Sequence, residues 1–225
     1  MSGTFVRALY RGRGWLWLAP AVPAALLTGL IMTVLPPDET LDNLADFIFR
    51  LAPLVLAVLA IAVLPRGRYA PALFMLGVIV YMGYFDTEGV LRIYAFANAA
   101  AADPNASFAP VYQFELLLAS FVTLFALLAF RLGGARSALV IKVGIAAVLV
   151  VISGLNDLTF WATYTFQHGR PDVLAWASHM IVFYGHPPTV AEAVVFMAVH
   201  LVLAAVVLAL PVQRWVDKRV TAPDG

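Results

Sequence analysis

The sequence predicts an all-α polytopic membrane bundle: six transmembrane helices, both termini cytoplasmic, and a short re-entrant or interfacial helix near 173–185. Three observations lead there. Hydrophobic residues make up 63% of the 225 residues and charged residues 12%, with a mean hydropathy of +0.90. A soluble domain is nearer half apolar and a quarter charged, and surface-to-volume scaling prevents a water-soluble globule of this size from burying such a composition. Apolar stretches of spanning length recur along the whole chain. The cations are segregated into blocks between them, and 1–225 reads as a single membrane domain.

About 20 apolar residues cross the hydrocarbon core as a helix. The first span, 15–35, carries Pro20 and Pro23 in its early turns, where neighbouring helices absorb the lost hydrogen bonds. It is too long for the apolar region of a cleavable signal, and no small-residue cleavage site follows. Spans at 47–64 and 69–85 are joined by Pro65-Arg66-Gly67-Arg68. Spans at 112–130 and 138–161 flank a turn containing Gly133-Gly134, and the last runs over 189–210. The stretch 173–185 is apolar but too short to cross alone, and it stops at His186-Pro187-Pro188. Besides a re-entrant or interfacial helix, it can be read as the outer arm of a long, proline-broken sixth helix.

Basic residues set the orientation. With six spans, one side receives Arg7, Arg11, Arg13, Arg66, Arg68, Arg131, Arg136, Lys142, Arg214, Lys218 and Arg219, eleven of the 14 cations. The other receives Asp38, Glu39, Asp42, Asp46, Asp86, Glu88, Asp103, Asp157 and Asp172 with only Arg50, Arg92 and Arg170. A seventh span would export the C-terminal cluster, so six spans with cytoplasmic termini are expected. The expected location is a bacterial inner membrane, with the lipid bilayer and other membrane subunits of an oligomeric complex as partners and no nucleic acid. The external loops, 86–111 and 156–188, are the long ones, and the second holds three of the four histidines.

Several chemistries are excluded. Without cysteine there is no disulfide, thiolate metal site, Fe–S cluster or cysteine nucleophile. No phosphate-cradling glycine loop, Gly-x-Ser-x-Gly elbow, His-x-x-x-His pair or Asp-x-x-Asp site occurs. All four histidines lie between 168 and 200, so facing pairs from well-separated helices, as a membrane b-type cytochrome needs, cannot be built.

Polar residues in or beside a bilayer carry the functional signal. They concentrate at Asn156, Asp157, Thr159, Thr163, Gln167, His168, Arg170, Asp172, His179 and His186, followed by Glu192 and His200. Neutral imidazoles with one carboxylate suit copper, zinc or iron, which makes Asp157, His168 and His179 candidate ligands. The bland alternatives are an Asp157–Arg170 ion pair and ordinary interfacial histidines. His200 reads as an interhelical hydrogen-bond partner or proton-handling group. Glu115 and Glu192 read as intramembrane carboxylates. With His200 they also give a transporter or channel reading, which needs a continuous polar stripe. A non-catalytic accessory subunit is a further reading, supported by small-residue faces such as Gly144, Ala146 and Ala147, and Ala191, Ala198, Ala204 and Ala205.

The order of features over roughly 80–211 resembles the C subunit of the copper membrane monooxygenases, the particulate methane and ammonia monooxygenase family. Glu88-Gly89-Val90, Arg92, Tyr94 and Ser107-Phe108-Ala109-Pro110 resemble its external segment. Asp157 within Asn-Asp-Leu-Thr-Phe-Trp, then Arg170, Asp172, Ser178-His179, Phe183-Tyr184 and Pro187, are similar to its later features in order and type. The resemblance implies a copper-binding subunit (or one for another divalent transition metal) of an enzyme that oxidises small hydrocarbons or ammonia with O2. It implies Asp157 and His179 as ligands, with His168 as a third. The departures are specific. The family's Asp is followed four residues later by a His, where this chain has Trp161, and the family's further helices with a second Asn/His group are missing.

Overall fold

The structure is a computed structural model describing residues 14–35, 41–65, 70–103, 108–166 and 169–211. Among them every regular element is helical. Helix α1, Leu18–Gly29, runs into a π-helical turn, Leu30–Val34. Helix α2 is Leu44–Val63. Helix α3, Ala70–Val80, continues through a π-helical segment, Tyr81–Asp86, into α4, Thr87–Ala102. Then come α5 Ala109–Leu132, α6 Ser137–Val151, α7 Leu155–Thr163, α8 Ser178–Tyr184 and α9 Val190–Ala209.

Four helices have the length and composition of membrane spans: Leu44–Val63, Ala72–Ala102, Ala109–Leu132 and Val190–Ala209. The α6–α7 pair makes a fifth if its two arms count as one span. The chain therefore has the make-up of a multi-pass helical membrane protein. Leu18–Val34 is apolar but shorter than the others.

Three boundaries differ from those the sequence suggests. The third span does not stop at 85: the helix carries on, so most of the expected external loop 86–111 is the helix Thr87–Ala102. Its local support is an Arg92–Glu88 ion pair at 2.9 Å, one turn apart. The span expected at 138–161 is broken instead of continuous, with α6 and α7 bent by 40°. Gly154 at the break has φ +75°, a left-handed conformation that costs other residues about 1–2 kcal/mol. Finally, 173–185 is not the outer arm of the last helix. α8 ends at Gly185, also at φ +75°, and α9 starts afresh at Val190.

The ends of α2 and α9 have a chemical reason. Asn43 caps α2, its side-chain oxygen accepting from the amides of Ala45 and Asp46 at 2.9 and 3.0 Å. Thr189 and Glu192 form a capping box on α9. At the α2 C-terminus, Arg131 donates from Nε and Nη2 to the Leu64 carbonyl at 3.0 and 2.9 Å, and from Nη1 to Ala135 at 2.7 Å. Lys142 donates to the Leu210 carbonyl at 2.7 Å at the end of α9. Cations thus complete helix C-termini where carbonyls would otherwise lack partners.

Helix α2 is the hub, packing against α1, α5 and α6, while α9 packs on α6 and the α3–α4 helix lies on α5. The core between α2, α5 and α6 comprises Leu54, Val58, Ala62, Leu127, Val140 and Val148. Gly144 lets α6 approach this closely: a Cβ there would overlap Val58 and crowd Leu127. Small residues at such crossings take the place that hydrophobic burial holds in water-soluble bundles.

Candidate functional site

The site is built by the break in α6–α7 and by a closed loop. Ser153, fully buried, accepts from the Leu155 amide and donates to the Val150 carbonyl, which ends one helix and starts the next. Gly154 then reverses the chain's twist, and Asp157 falls in the first turn of α7, a position favoured for negative charge by the helix dipole. The second half comes from residues 172–190. The Leu174 amide donates to the Pro188 carbonyl at 2.8 Å and the Val190 amide to the Asp172 carbonyl at 3.2 Å, closing a loop that carries α8. Leu174, Ala177 and Met180 anchor it, packed with Leu158, Ala193 and Phe196.

These two devices bring Asp157 and His179 together. Nε2 of His179 lies 3.9 Å from Oδ2 of Asp157, and the side chains are 14% and 4% exposed. Both atoms are buried without a hydrogen-bond partner, as is Nε1 of Trp176, which neighbours the Asp157 carboxyl. Orphaned buried polar atoms are rare in folded chains because each costs about 1–3 kcal/mol. Burial, reinforced by the His200 ring, pushes the His179 imidazole down to about 4, so it is neutral.

His168, the third expected ligand, lies outside the described residues, as does Gln167. Among the described residues no group of three or more metal-ligating side chains forms. The Asp157–Arg170 ion pair is not formed: Arg170 donates to the Ala162 carbonyl at 2.6 Å and stacks over Trp161. Trp161 donates from its indole to the Pro171 carbonyl at 2.9 Å. His186 does not share a helical face with His179. It follows the end of α8 and meets Glu192 at 3.8 Å on an exposed surface. Glu192 lies in the first turn of α9, where its Oε2 accepts from the amide and hydroxyl of Thr189. His200 bonds the Phe196 carbonyl through Nδ1 at 2.9 Å, within its own helix instead of across to another. Glu115 is exposed on α5.

The pair fits a metal ion in part. Nitrogen and carboxylate ligands sit about 2.0–2.2 Å from zinc, so two ligand atoms 3.9 Å apart span one ion at a wide angle. Neither atom has another partner to give up. Sequence reasoning missed Trp176, whose unpartnered N–H has no motif to mark it. It also passed over Gly154, although a Ser-Gly step inside an apolar run is the signal of a break.

The class is thus a multi-pass helical membrane protein with a buried Asp–His pair held between a broken helix and a closed loop. No protein-family model, curated protein or solved structure matches the chain.

Proposed function

We propose that this chain is a membrane subunit that holds one divalent transition-metal ion, copper by its resemblance to the copper membrane monooxygenase C subunit, at Asp157 and His179, with His168 as a third ligand. The observation that carries the reading is the pair of buried, unpartnered atoms Nε2 of His179 and Oδ2 of Asp157, 3.9 Å apart. A bound ion would supply redox chemistry with O2 at a site with open coordination positions. The chain's own residues hold a neutral imidazole and a carboxylate 3.9 Å apart, with the fully buried Met180 packed beside them. In this reading Leu18–Val34 is a sixth span, both termini are cytoplasmic, and the membrane is a bacterial inner membrane.

One observation favours a second reading, a non-catalytic subunit beside a larger complex. The helix Ala72–Ala102 has 31 residues, about 46 Å at 1.5 Å per residue, against a hydrocarbon core of about 30 Å. Val90, Leu91, Ile93 and Tyr94 on it are all more than half exposed. A partner subunit would cover the part that lipid does not reach.

Elemental analysis of the native assembly, purified in mild detergent with its subunits identified by mass spectrometry, decides between them. The metal reading expects near one transition-metal ion per chain, lost on His179→Ala while the gel-filtration profile is unchanged. A metal-free parent, or unchanged stoichiometry in the variant, would remove the metal reading and leave the accessory one.

A further inference from the structure

A cavity of about 790 Å³ lies between α1, α2 and α5, within the size range of ligand sites. It is elongated. Along α5 it is lined from Gln113 to Leu128, about 22 Å at 1.5 Å per residue. Its two ends differ in chemistry. The end near Trp17, Leu64 and Leu128 is apolar. The opposite end is lined by Gln113, Asn156, Ser178 and His179, together with Arg50, whose charge is matched by Asp46 at 3.0 Å. Gln113, 6% exposed, donates to the Ile31 carbonyl at 3.1 Å and fixes α1 at that end. Between the ends, Thr28 turns its hydroxyl back to the Ala24 carbonyl at 2.9 Å, leaving walls dominated by Ala24, Leu54, Ala57, Leu117 and Phe121.

We propose that this cavity binds one long-chain amphiphile with an uncharged, hydrogen-bonding head, of the fatty-alcohol class. The chain lies along α5 and the head meets Gln113, Asn156 and Ser178. Amide and hydroxyl groups both donate and accept, which suits a hydroxyl or carbonyl head. A carboxylate or phosphate head would find no unmatched cation, because Arg50 is already paired, and burying it there would carry the cost of an uncompensated charge. A headless alkane would leave the polar end without partners. The inference stands apart from the metal reading, since it needs no ion at His179.

The test uses the full chain in phosphatidylcholine nanodiscs and a diazirine-bearing hexadecanol, with crosslinked peptides mapped by mass spectrometry. Labelling is expected on the α1, α2 and α5 residues of the cavity. Unlabelled hexadecanol should compete about threefold to tenfold better than hexadecane, the worth of one net hydrogen bond, and better still than palmitate. Ala57→Phe and Ala21→Phe, each filling the cavity from a different wall, should remove this labelling while leaving that of the outer lipid-facing surface. Labelling spread over the outer surface alone, equal competition by all three chains, or labelling unaffected by a filling variant that elutes like the parent would each overturn the proposal. The competition on the parent decides even if both variants fail to fold.

Discussion

Replacing Gly154 by alanine tests the architecture of the site most directly. At φ +75° the new residue is forced into the left-handed region, a cost of about 1–2 kcal/mol. The added Cβ would also overlap Cε of Met180 and come within 3.5 Å of Nε2 of His179. Met180 is flexible, but it is fully buried among Leu174, Ala177, Ala193 and Phe196, so it cannot swing into open space. Overpacking of that kind costs about 1–3 kcal/mol, giving a total of about 2–5 kcal/mol. Gly185 supplies the control, because it has the same φ and nothing within 4 Å of an added Cβ. Gly185→Ala should therefore lose only the backbone part, about 1–2 kcal/mol. The assay is unfolding in mixed detergent micelles, comparing both variants with the parent and repeating Gly154→Ala with Met180→Ala. The smaller side chain should recover the difference between the two glycine variants and no more, measured against Met180→Ala alone. Equal losses at Gly154 and Gly185 would show that Met180 does not close over the break, and the site's geometry would then be wrong.

Two further outcomes follow from the same structure. In the metal-free chain, His179 takes up its proton near pH 4 when folded and near 6.5 when unfolded, so the unfolded state binds more protons between those values. The contribution of His179 itself, read as the difference between the parent and His179→Gln at each pH, should rise by about 3 kcal/mol with pH across that window. A parent-minus-variant difference that does not change with pH in detergent unfolding at stepped pH would place the titration elsewhere. Arg131→Met keeps the length of the side chain but strips the Leu64 and Ala135 carbonyls of their donor. A loss of about 2–4 kcal/mol is expected in the same assay, with Arg131→Lys recovering only part of it because an ammonium lacks the planar fork. A change within about 0.5 kcal/mol would mean that water or lipid satisfies those carbonyls equally well.

What the sequence reveals here is what composition and periodicity control. The α2, α5 and α9 helices lie within a few residues of the expected spans, because runs of apolar residues between caps leave little choice in a bilayer. The helix beyond Asp86 is hidden by its charges, since Asp86, Glu88 and Arg92 suggest a loop until Arg92 is seen to pair with Glu88 one turn away. Arg131 counts in sequence as a cytoplasmic surface cation, yet it is 6% exposed and serves the carbonyls of a neighbouring helix end. Tertiary placement of a cap cannot be read from spacing. At the site, Asp157 and His179 are legible as unusual residues for their surroundings. Their meeting is not, because it depends on a left-handed glycine and on two backbone hydrogen bonds 14 and 18 residues apart in sequence.

The separation within the pair has a structural cause. A direct hydrogen bond between Nε2 and Oδ2 needs a separation near 2.9 Å, about 1 Å shorter than the 3.9 Å observed. Closing that gap takes a change of side-chain torsion in the buried pair or a shift of α7 toward α8. The Ser153 bridge and Gly154 hold the start of α7, while the clasp at Leu174 and Val190 holds α8. Each side is therefore fixed by bonds that do not involve the other. The 3.9 Å separation is thus set by contacts on either side of the pair and not by the pair itself. The neutral imidazole fits the proposed ligand role, because a ligand must present a lone pair and a protonated ring has none. Trp176, with an N–H and no acceptor lone pair, cannot itself ligate.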